Sequence, residues 1–477
     1  MVFSGITFLY YFLPCVLLVY FLVQITAGKK NSSMVPQNVV LLLASLFFYA
    51  WGEPVYIILM LCTILTGYLA GLLLEKTMNG PIGIVTPKMV LAGSVGLFAI
   101  VFVIFKYTDF IITNINAATG AGIPLRHIVL PIGISFYTFQ MISYLVDVYR
   151  NEVPAQKNLI SLALYISMFP QLIAGPIVRY SAVAVQIDTR KSTWDGVETG
   201  CTRFIIGLSK KVLIANELGR LCELYKQTTE PSVLYVWLYA VAFCLHIYFD
   251  FSGYSDMAIG LGRIFGFCFP ENFNYPYISA SITEFWRRWH MSLGSWFRDY
   301  LYIPLGGNQV SRLKWYRNIL IVWLFTGLWH GASWNFVIWG LYFGILLVIE
   351  KNGLLSVLQK IKVFRHVYVL LFLIISFVIF NGETPKDAWM DISRMLGFGK
   401  VPVYSTEAWY YLDSFKVLLA VAAVGCTPLV KKVTEYVSGH FTKAYAMLKP
   451  IVLLGLLILS TAYLVDGSFN PFLYFRF

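Results

Sequence analysis

Long apolar runs separated by short polar stretches dominate the chain. Residues 1–28 contain no charged side chain, and the first charges follow at Lys29 and Lys30. A secretory signal carries its basic residues before the apolar stretch, so this order predicts a retained first helix with its N-terminus on the extracytoplasmic side. Further runs with few or no charges cover residues 31–52, 54–74, 89–105, 127–146, 159–178, 232–248, 251–269, 318–349, 367–380, 417–430 and 450–465.

A helix needs about 20 residues to cross a bilayer, so these runs predict an all-α polytopic membrane protein with about eleven transmembrane helices. No repeat or low-complexity linker divides them, which favours a single membrane domain over residues 1–477. Charged residues make up 13% of the chain, against roughly 25% in soluble domains. A soluble enzyme needs more polar groups than this to coat its surface.

The net charge of +12 raises the alternative of a nucleic-acid partner. Such proteins concentrate Lys and Arg on one polar face, whereas here the basic residues lie between apolar runs. This distribution is typical of cytoplasmic loops that obey the positive-inside rule, so we expect a lipid bilayer and no nucleic acid. The seven cysteines lie far apart without a C-x-x-C pair, which indicates neither a disulfide framework nor a zinc site.

Residues 182–232 differ from the apolar runs because charges return there. Ser192 and Asp195 have the S-x-x-D form of a capping box. Apolar positions then recur at helical spacing, which predicts an interfacial helix on the cytoplasmic side. Its apolar positions are Val197, Cys201, Phe204, Ile205, Leu208 and Val212, and the charged Glu198, Arg203, Lys210 and Lys211 fall largely between them.

Residues 275–317 form a second exceptional segment, rich in Trp, Arg and Tyr. The segment is too polar to face lipid and too aromatic for a free loop. Irregular backbone at membrane depth occurs only where protein covers it or where it lines a wet cavity. We therefore expect short or re-entrant helices buried against the bundle.

His330 lies inside the charge-free run 318–349, which as one helix would measure roughly 48 Å against a hydrocarbon core of about 30 Å. The run must tilt or break, and residues 331–333 are the expected break. An ionisable residue at that depth indicates function, and desolvation favours the neutral imidazole that can accept a proton. The alternative is that Gly327-x-x-x-Gly331 is only a helix-packing motif, with His330 hydrogen-bonded across it.

His290 closes the string FWRRWH at residues 285–290. Glu284 and Arg288 have the i,i+4 spacing of an intrahelical ion pair, and Arg287 can meet an anionic group such as the phosphates of a nucleotide-like donor. The alternative is an interfacial aromatic belt with snorkelling arginines.

His246 and Asp250 also have i,i+4 spacing. Without a third ligand nearby they do not predict a metal site, and a satisfied polar stripe lining a cavity is the preferred interpretation. The glycine pattern at residues 260–266 is one residue too long for a dinucleotide fingerprint. These residues are compatible with group transfer and with transport.

Several strings together make the chain recognisable. They are MVFS at residues 1–4, LPIGISFYTFQ at 130–140, FPQLIAGPI at 169–177, YFDFSGYSDMA at 248–258, FWRRWH at 285–290 and LWHG at 328–331. With them the chain resembles the membrane-bound O-acyltransferase (MBOAT) superfamily, in the branch of the bacterial alginate O-acetylases and peptidoglycan O-acetyltransferases.

The resemblance implies a ring of tilted helices around a central tunnel, with His330 as the catalytic histidine and His290 at the second characteristic position. It implies acetyl-CoA as a thioester donor substrate, no bound cofactor, and no metal. Arg287, Arg288, Trp329 and Asn335 are then candidates for donor binding. His246 stands where relatives carry another polar residue, and no catalytic role is assigned to it.

The implied function is transfer of an acetyl group across the bacterial inner membrane, for O-acetylation of alginate, peptidoglycan or another exopolysaccharide. His330 acts as the base, His290 supports the oxyanion or positions the thioester, and an SGNH/GDSL-type protein outside the membrane is the expected partner. Three alternatives remain: D-alanyl transfer to teichoic acid from a carrier protein, a proton-coupled transporter or flippase using His330 and Asp256, and a structural subunit of a glycan-assembly complex.

Overall fold

The structure is a computed structural model that describes residues 1–27, 33–80, 83–173 and 175–467. The predictions that involve Lys29, Lys30 and Ala174 lie outside these residues. The regular structure of the described chain is helical, which confirms the predicted all-α class.

The helices are numbered along the chain. They are α1 (Leu13–Ala27), α2 (Val35–Gly52), α3 (Ile57–Met78), α4 (Pro87–Thr119), α5 (Ile134–Tyr149), α6 (Leu159–Ser167), α7 (Phe169–Leu172), α8 (Tyr180–Thr189), α9 (Trp194–Ser209), α10 (Asn216–Lys226), α11 (Val233–Ile264), α12 (Ile282–Arg288), α13 (Met291–Phe297), α14 (Arg312–His330), α15 (Trp334–Ile349), α16 (Leu355–Lys360), α17 (Phe364–Asn381), α18 (Pro385–Met395), α19 (Thr406–Gly425), α20 (Leu429–His440) and α21 (Thr442–Asp466). Short π-helical segments at Phe8–Phe12, Lys210–Ala215, Arg298–Tyr302 and Glu350–Leu354, and a 3₁₀ turn at Pro276–Ile278, complete them.

The chain divides into two compact units. The first comprises Met1–Phe204 and Ser255–Pro270, and the second comprises Ile205–Tyr254 and Glu271–Phe477. The predicted catalytic and donor-binding residues all belong to the second unit. The prediction of one domain over residues 1–477 stays a prediction.

Nine helices of the described chain are long and apolar enough to cross a membrane, so the protein is a multi-pass membrane protein. The predicted count of about eleven stays a prediction. The nine are Phe8–Thr26, Val35–Gly52, Ile57–Met78, Pro87–Thr119, Val233–Ile264, Trp334–Lys360, Phe364–Asn381, Thr406–Gly425 and Thr442–Asp466.

The runs 232–248 and 251–269 are not two elements, because α11 continues through both as one helix. Asp250 separates the two runs in the sequence. Its carboxylate lies 2.6 Å from Lys211 Nζ of the π-helical segment Lys210–Ala215, and both side chains are 1% exposed. A buried carboxylate is tolerated only with such a partner. The prediction that Lys211 lies among the polar positions of an interfacial helix is therefore wrong.

The start of α9 also differs from its prediction. Thr193, and not Ser192, caps the helix: its hydroxyl accepts a hydrogen bond from the Gly196 N–H at 3.1 Å. The S-x-x-D pattern is displaced by one residue from the real N-cap. The expected apolar face is nevertheless buried at Phe204, Leu208 and Val212.

Helices α14 and α15 pack through glycine. A Cβ atom at Gly327 would collide with the Phe336 carbonyl oxygen, and one at Gly340 would collide with the Trp323 carbonyl oxygen. The two backbones therefore approach too closely for any side chain, as small residues allow in membrane helix pairs. Gly327 thus packs the two helices against Gly340, whereas Gly331 lies beyond the end of α14. The hydrogen bond of His330 across Gly327-x-x-x-Gly331 stays a prediction.

We predict that Gly340→Ala lowers the free energy of unfolding by about 1–3 kcal/mol, because the new methyl group forces the two helices apart. Gly455→Ala is the matched control, since nothing lies within 4 Å of a Cβ built in that helix. There the substitution should stabilise the fold by about 0.4–1 kcal/mol. Thermal unfolding of both variants in detergent measures the difference, and equal effects at the two sites would contradict the close approach.

Candidate active site

His330 is the last residue of α14, and residues 331–333 interrupt the helix before α15 begins at Trp334. The predicted break is confirmed. Ser333 caps α15, where its hydroxyl accepts a hydrogen bond from the Asn335 N–H. The break places His330 at the apex of a helical hairpin.

Aromatic rings surround the His330 imidazole, which is 8% exposed. Ring centroids lie 5.0 Å away for Trp329, 5.0 Å for Trp339 and 5.3 Å for Phe380. These rings hold the imidazole in an apolar environment at the apex of the hairpin.

His290 lies between two seven-residue helices, α12 and α13, with a left-handed backbone (φ 44°). Its ring is 2% exposed and packs edge-on against Phe251 at 4.7 Å. Its centroid is 6.0 Å from that of Trp329, which also contacts His330. The structure therefore brings the two predicted histidines into contact with one tryptophan.

The nitrogen atoms of His290 have different surroundings. Nδ1 lies 3.2 Å from the side-chain oxygen of Asn272, whereas Nε2 is buried without a hydrogen-bond partner. Burial lowers the pKa of His290 to about 3, so the ring is uncharged at neutral pH. His290 is also one of the residues that line a cavity.

That cavity measures about 640 Å³. Four of the residues that line it lie on one face of α14, with the spacing i, i+3, i+4 and i+7. His330 lies on the same face, one turn further along the helix. Its α14 residues are Ile319, Val322, Trp323 and Thr326, and its apolar walls elsewhere include Trp286, Met291, Leu293 and Leu347. His330 therefore lies one helical turn beyond the last α14 residue of the lining, on the same face of the helix.

Three cationic residues line the same cavity: Arg287, Arg298 and Lys351. Arg298 is paired with Asp299 at 2.6 Å, whereas the Arg287 side chain is exposed. Arg288 is bonded to Glu284 at 2.8 Å, which confirms the predicted ion pair and uses Arg288 to hold α12. The two neighbouring arginines therefore have separate surroundings, and only Arg287 faces the cavity.

Helix α12 is too short to be stable alone, and its N-terminus depends on a buried carboxylate. Glu350 is fully buried and accepts hydrogen bonds from the N–H groups of Ile282 at 2.6 Å and Thr283 at 2.8 Å. Ser281 accepts the next one, from Glu284 at 3.0 Å. Negative charge at a helix N-terminus is favourable, so Glu350 fixes the helix that carries Arg287.

Two further predicted residues lie outside this cavity lining. The Asn335 side chain donates a hydrogen bond to the Gly382 carbonyl, and Trp329 is buried between the histidines. His246 and Asp250 both have partners on the π-helical segment Lys210–Ala215. His246 Nδ1 lies 2.6 Å from the Ala215 carbonyl, and Asp250 is paired with Lys211. The partners of these two side chains are thus confirmed, whereas the expectation that they line a cavity stays a prediction.

No cluster of potential metal ligands occurs among the residues that the structure describes, and their cysteines are not in disulfides. Sequence reasoning missed Asn272, Glu350 and Lys351. Glu350 and Lys351 directly follow the charge-free run 318–349. This position could have marked them as candidate functional residues. Asn272 carried no such signal, because its role depends on a contact made only in the fold.

Comparison with known proteins places these residues in a family. The model of the MBOAT, membrane-bound O-acyltransferase family, matches residues 150–383, which include both histidines and the whole cavity. The probable alginate O-acetylase AlgI of Azotobacter vinelandii is 43% identical over 84% of this chain and 79% of its own length. That of Pseudomonas putida is 39% identical over the full length of both chains.

A peptidoglycan O-acetyltransferase of Helicobacter pylori is 34% identical over 87% of this chain and 83% of its own length. The resemblance predicted from the sequence strings is confirmed by this full-length similarity. The chain belongs to the membrane-bound O-acyltransferase family and is an acyltransferase.

Proposed function

We propose that the protein takes an acetyl group from acetyl-CoA on the cytoplasmic side and passes it outward for O-acetylation of a polysaccharide. The cavity beside His290 carries the proposal, because it joins cationic side chains to apolar walls on the face of α14 that ends at His330. The relatives are named as acetylases of alginate and peptidoglycan, which supports the acetyl group and the polysaccharide class of acceptor.

Acetyl-CoA suits this cavity in three respects. Its phosphates match Arg287 and Lys351, its long neutral arm matches the apolar walls, and its thioester can extend toward His330. The volume of about 640 Å³ falls within the usual range of roughly 300–1,000 Å³ for small-molecule sites. The residues that line the cavity include no acidic side chain that would repel the phosphates.

In the proposed reaction, His330 removes the proton of the acceptor hydroxyl as its oxygen attacks the thioester carbonyl carbon. The tetrahedral intermediate collapses with cleavage of the C–S bond, the acetyl group stays on the acceptor oxygen, and the CoA thiolate takes the proton back from His330. His290 either donates a hydrogen bond to the oxyanion or positions the thioester. Holding donor and acceptor together supplies the remaining rate enhancement.

The proposed acceptor is alginate, peptidoglycan or another exopolysaccharide outside the bacterial inner membrane, reached directly or through the serine of an SGNH/GDSL-type partner. The proposed orientation has the N-terminus outside. A proton-coupled transporter using Asp256 is less well supported, because Asp256 accepts two hydrogen bonds from Arg203, at 3.0 and 2.8 Å. Protonation of Asp256 would break this ion pair.

We predict that His330→Ala lowers acetyl transfer by about 10²–10⁴-fold, the usual contribution of a general base. Labelled acetyl-CoA is supplied to the purified protein in proteoliposomes together with a glycan acceptor or an SGNH-type protein. His440→Ala is the matched control, since His440 is exposed on α20.

Normal transfer by His330→Ala would contradict its role as the base. Movement of glycan without acetylation would favour the transporter, and transfer only from a D-alanyl carrier protein would favour D-alanylation.

We predict that Arg287→Gln raises the KM for acetyl-CoA by about 10-fold or more, with kcat little changed, because a charge-assisted hydrogen bond contributes about 1.5–3 kcal/mol. S-acetyl-pantetheine, which lacks the nucleotide phosphates, is the control donor. With it the variant and the wild type should have similar KM values. An equal loss with both donors would mean that Arg287 acts on something other than the phosphates.

A further inference from the structure

Three donors converge on the side-chain oxygen of Asn272, which is fully buried beside His290. They are His290 Nδ1 at 3.2 Å, the Ser292 backbone N–H at 3.2 Å and the Ser292 hydroxyl at 2.9 Å. The sequence alone predicted no role for Asn272.

The Ser292 bond settles which way the Asn272 amide points. A backbone N–H can only donate, so the atom that it meets must be the amide oxygen and not the NH₂ group. The same oxygen faces His290 Nδ1 and can only accept. Nδ1 therefore carries the proton, and in the uncharged ring Nε2 carries the lone pair.

The backbone holds this arrangement independently of the Asn272 side chain. The Met291 N–H donates to the Asn272 carbonyl at 3.0 Å, and the Asn274 N–H donates to the Arg288 carbonyl at 2.9 Å. These bonds run on both sides of His290, whose left-handed conformation is unfavourable for a residue with a side chain. A change of the Asn272 side chain can thus alter the tautomer while these bonds persist.

We infer that Asn272 is a positioning residue that fixes His290 in its Nδ1–H form, so that Nε2 accepts a hydrogen bond from an N–H of the donor's amide arm. This rests on the proposed function for the identity of the donor. A bare Nε2 cannot donate to an oxyanion, so of the two roles open to His290 the geometry selects positioning of the thioester. The same role supplies a hydrogen-bond donor to His290 Nε2, which is buried without a partner.

The tautomer can be measured directly, without activity. In the purified protein with ¹⁵N-labelled histidine in liposomes, solid-state NMR distinguishes protonated from bare ring nitrogens, and His290→Gln identifies the His290 signals. We expect a protonated Nδ1 and a bare Nε2. A protonated Nε2 would overturn the inference, whether or not acetyl transfer is observed.

Asn272→Leu keeps the approximate size of the side chain but removes the oxygen. We expect a mixture of tautomers and a KM for acetyl-CoA raised by about 2- to 13-fold, the equivalent of one neutral hydrogen bond of about 0.5–1.5 kcal/mol. Asn272→Asp retains an acceptor oxygen and should keep the proton on Nδ1 and restore the KM. Asn274→Leu is the matched control, because Asn274 lies two residues on with an exposed side chain.

The outcomes separate the two proposals. Loss of the Nδ1–H form in Asn272→Leu with an unchanged KM would overturn the role of His290 in donor binding. Acetyl transfer that is absent in the wild type would overturn the proposed function, while the NMR result would still decide the tautomer.

Discussion

The bilayer supplies no water, so each irregular backbone segment at membrane depth must find its hydrogen bonds within the protein. The part of the chain around α12 and α13, which the sequence predicts to be re-entrant, satisfies its backbone groups with buried side chains. Glu350 accepts the first two N–H groups of α12, and Asn272 and its backbone hold the turn that carries His290. Both seven-residue helices contribute side chains to the lining of the cavity.

The hairpin of α14 and α15 provides the other half of the site. Gly327 and Gly340 bring the two backbones together, and the chain then breaks at residues 331–333. His330 is thereby fixed at the end of a helix whose preceding turns line the cavity. Trp329 lies between this histidine and His290, so both halves meet at one aromatic side chain.

Much of this could be predicted from the sequence because it follows from the lengths of the runs. The charge-free run 318–349 is too long for one span, which predicted the break beside His330, and the i,i+4 spacing predicted the ion pair of Glu284 with Arg288. The lengths of the runs did not show which charged side chains are paired inside the fold. Asp250 separates two runs in the sequence, but Lys211 pairs with it and α11 continues through that position. Asn272 and Glu350 were missed for the same reason, since each acts on residues distant in the sequence.

The central claim is that donor phosphates, thioester and histidines lie along one path through the cavity. The most direct measurement is a cryo-EM structure with a non-hydrolysable ketone analogue of acetyl-CoA bound. We expect phosphate density at Arg287 and Lys351, an amide N–H of the arm at His290 Nε2, and the ketone carbonyl next to His330. Density for the analogue outside this cavity, or with its acetyl end turned away from His330, would contradict it.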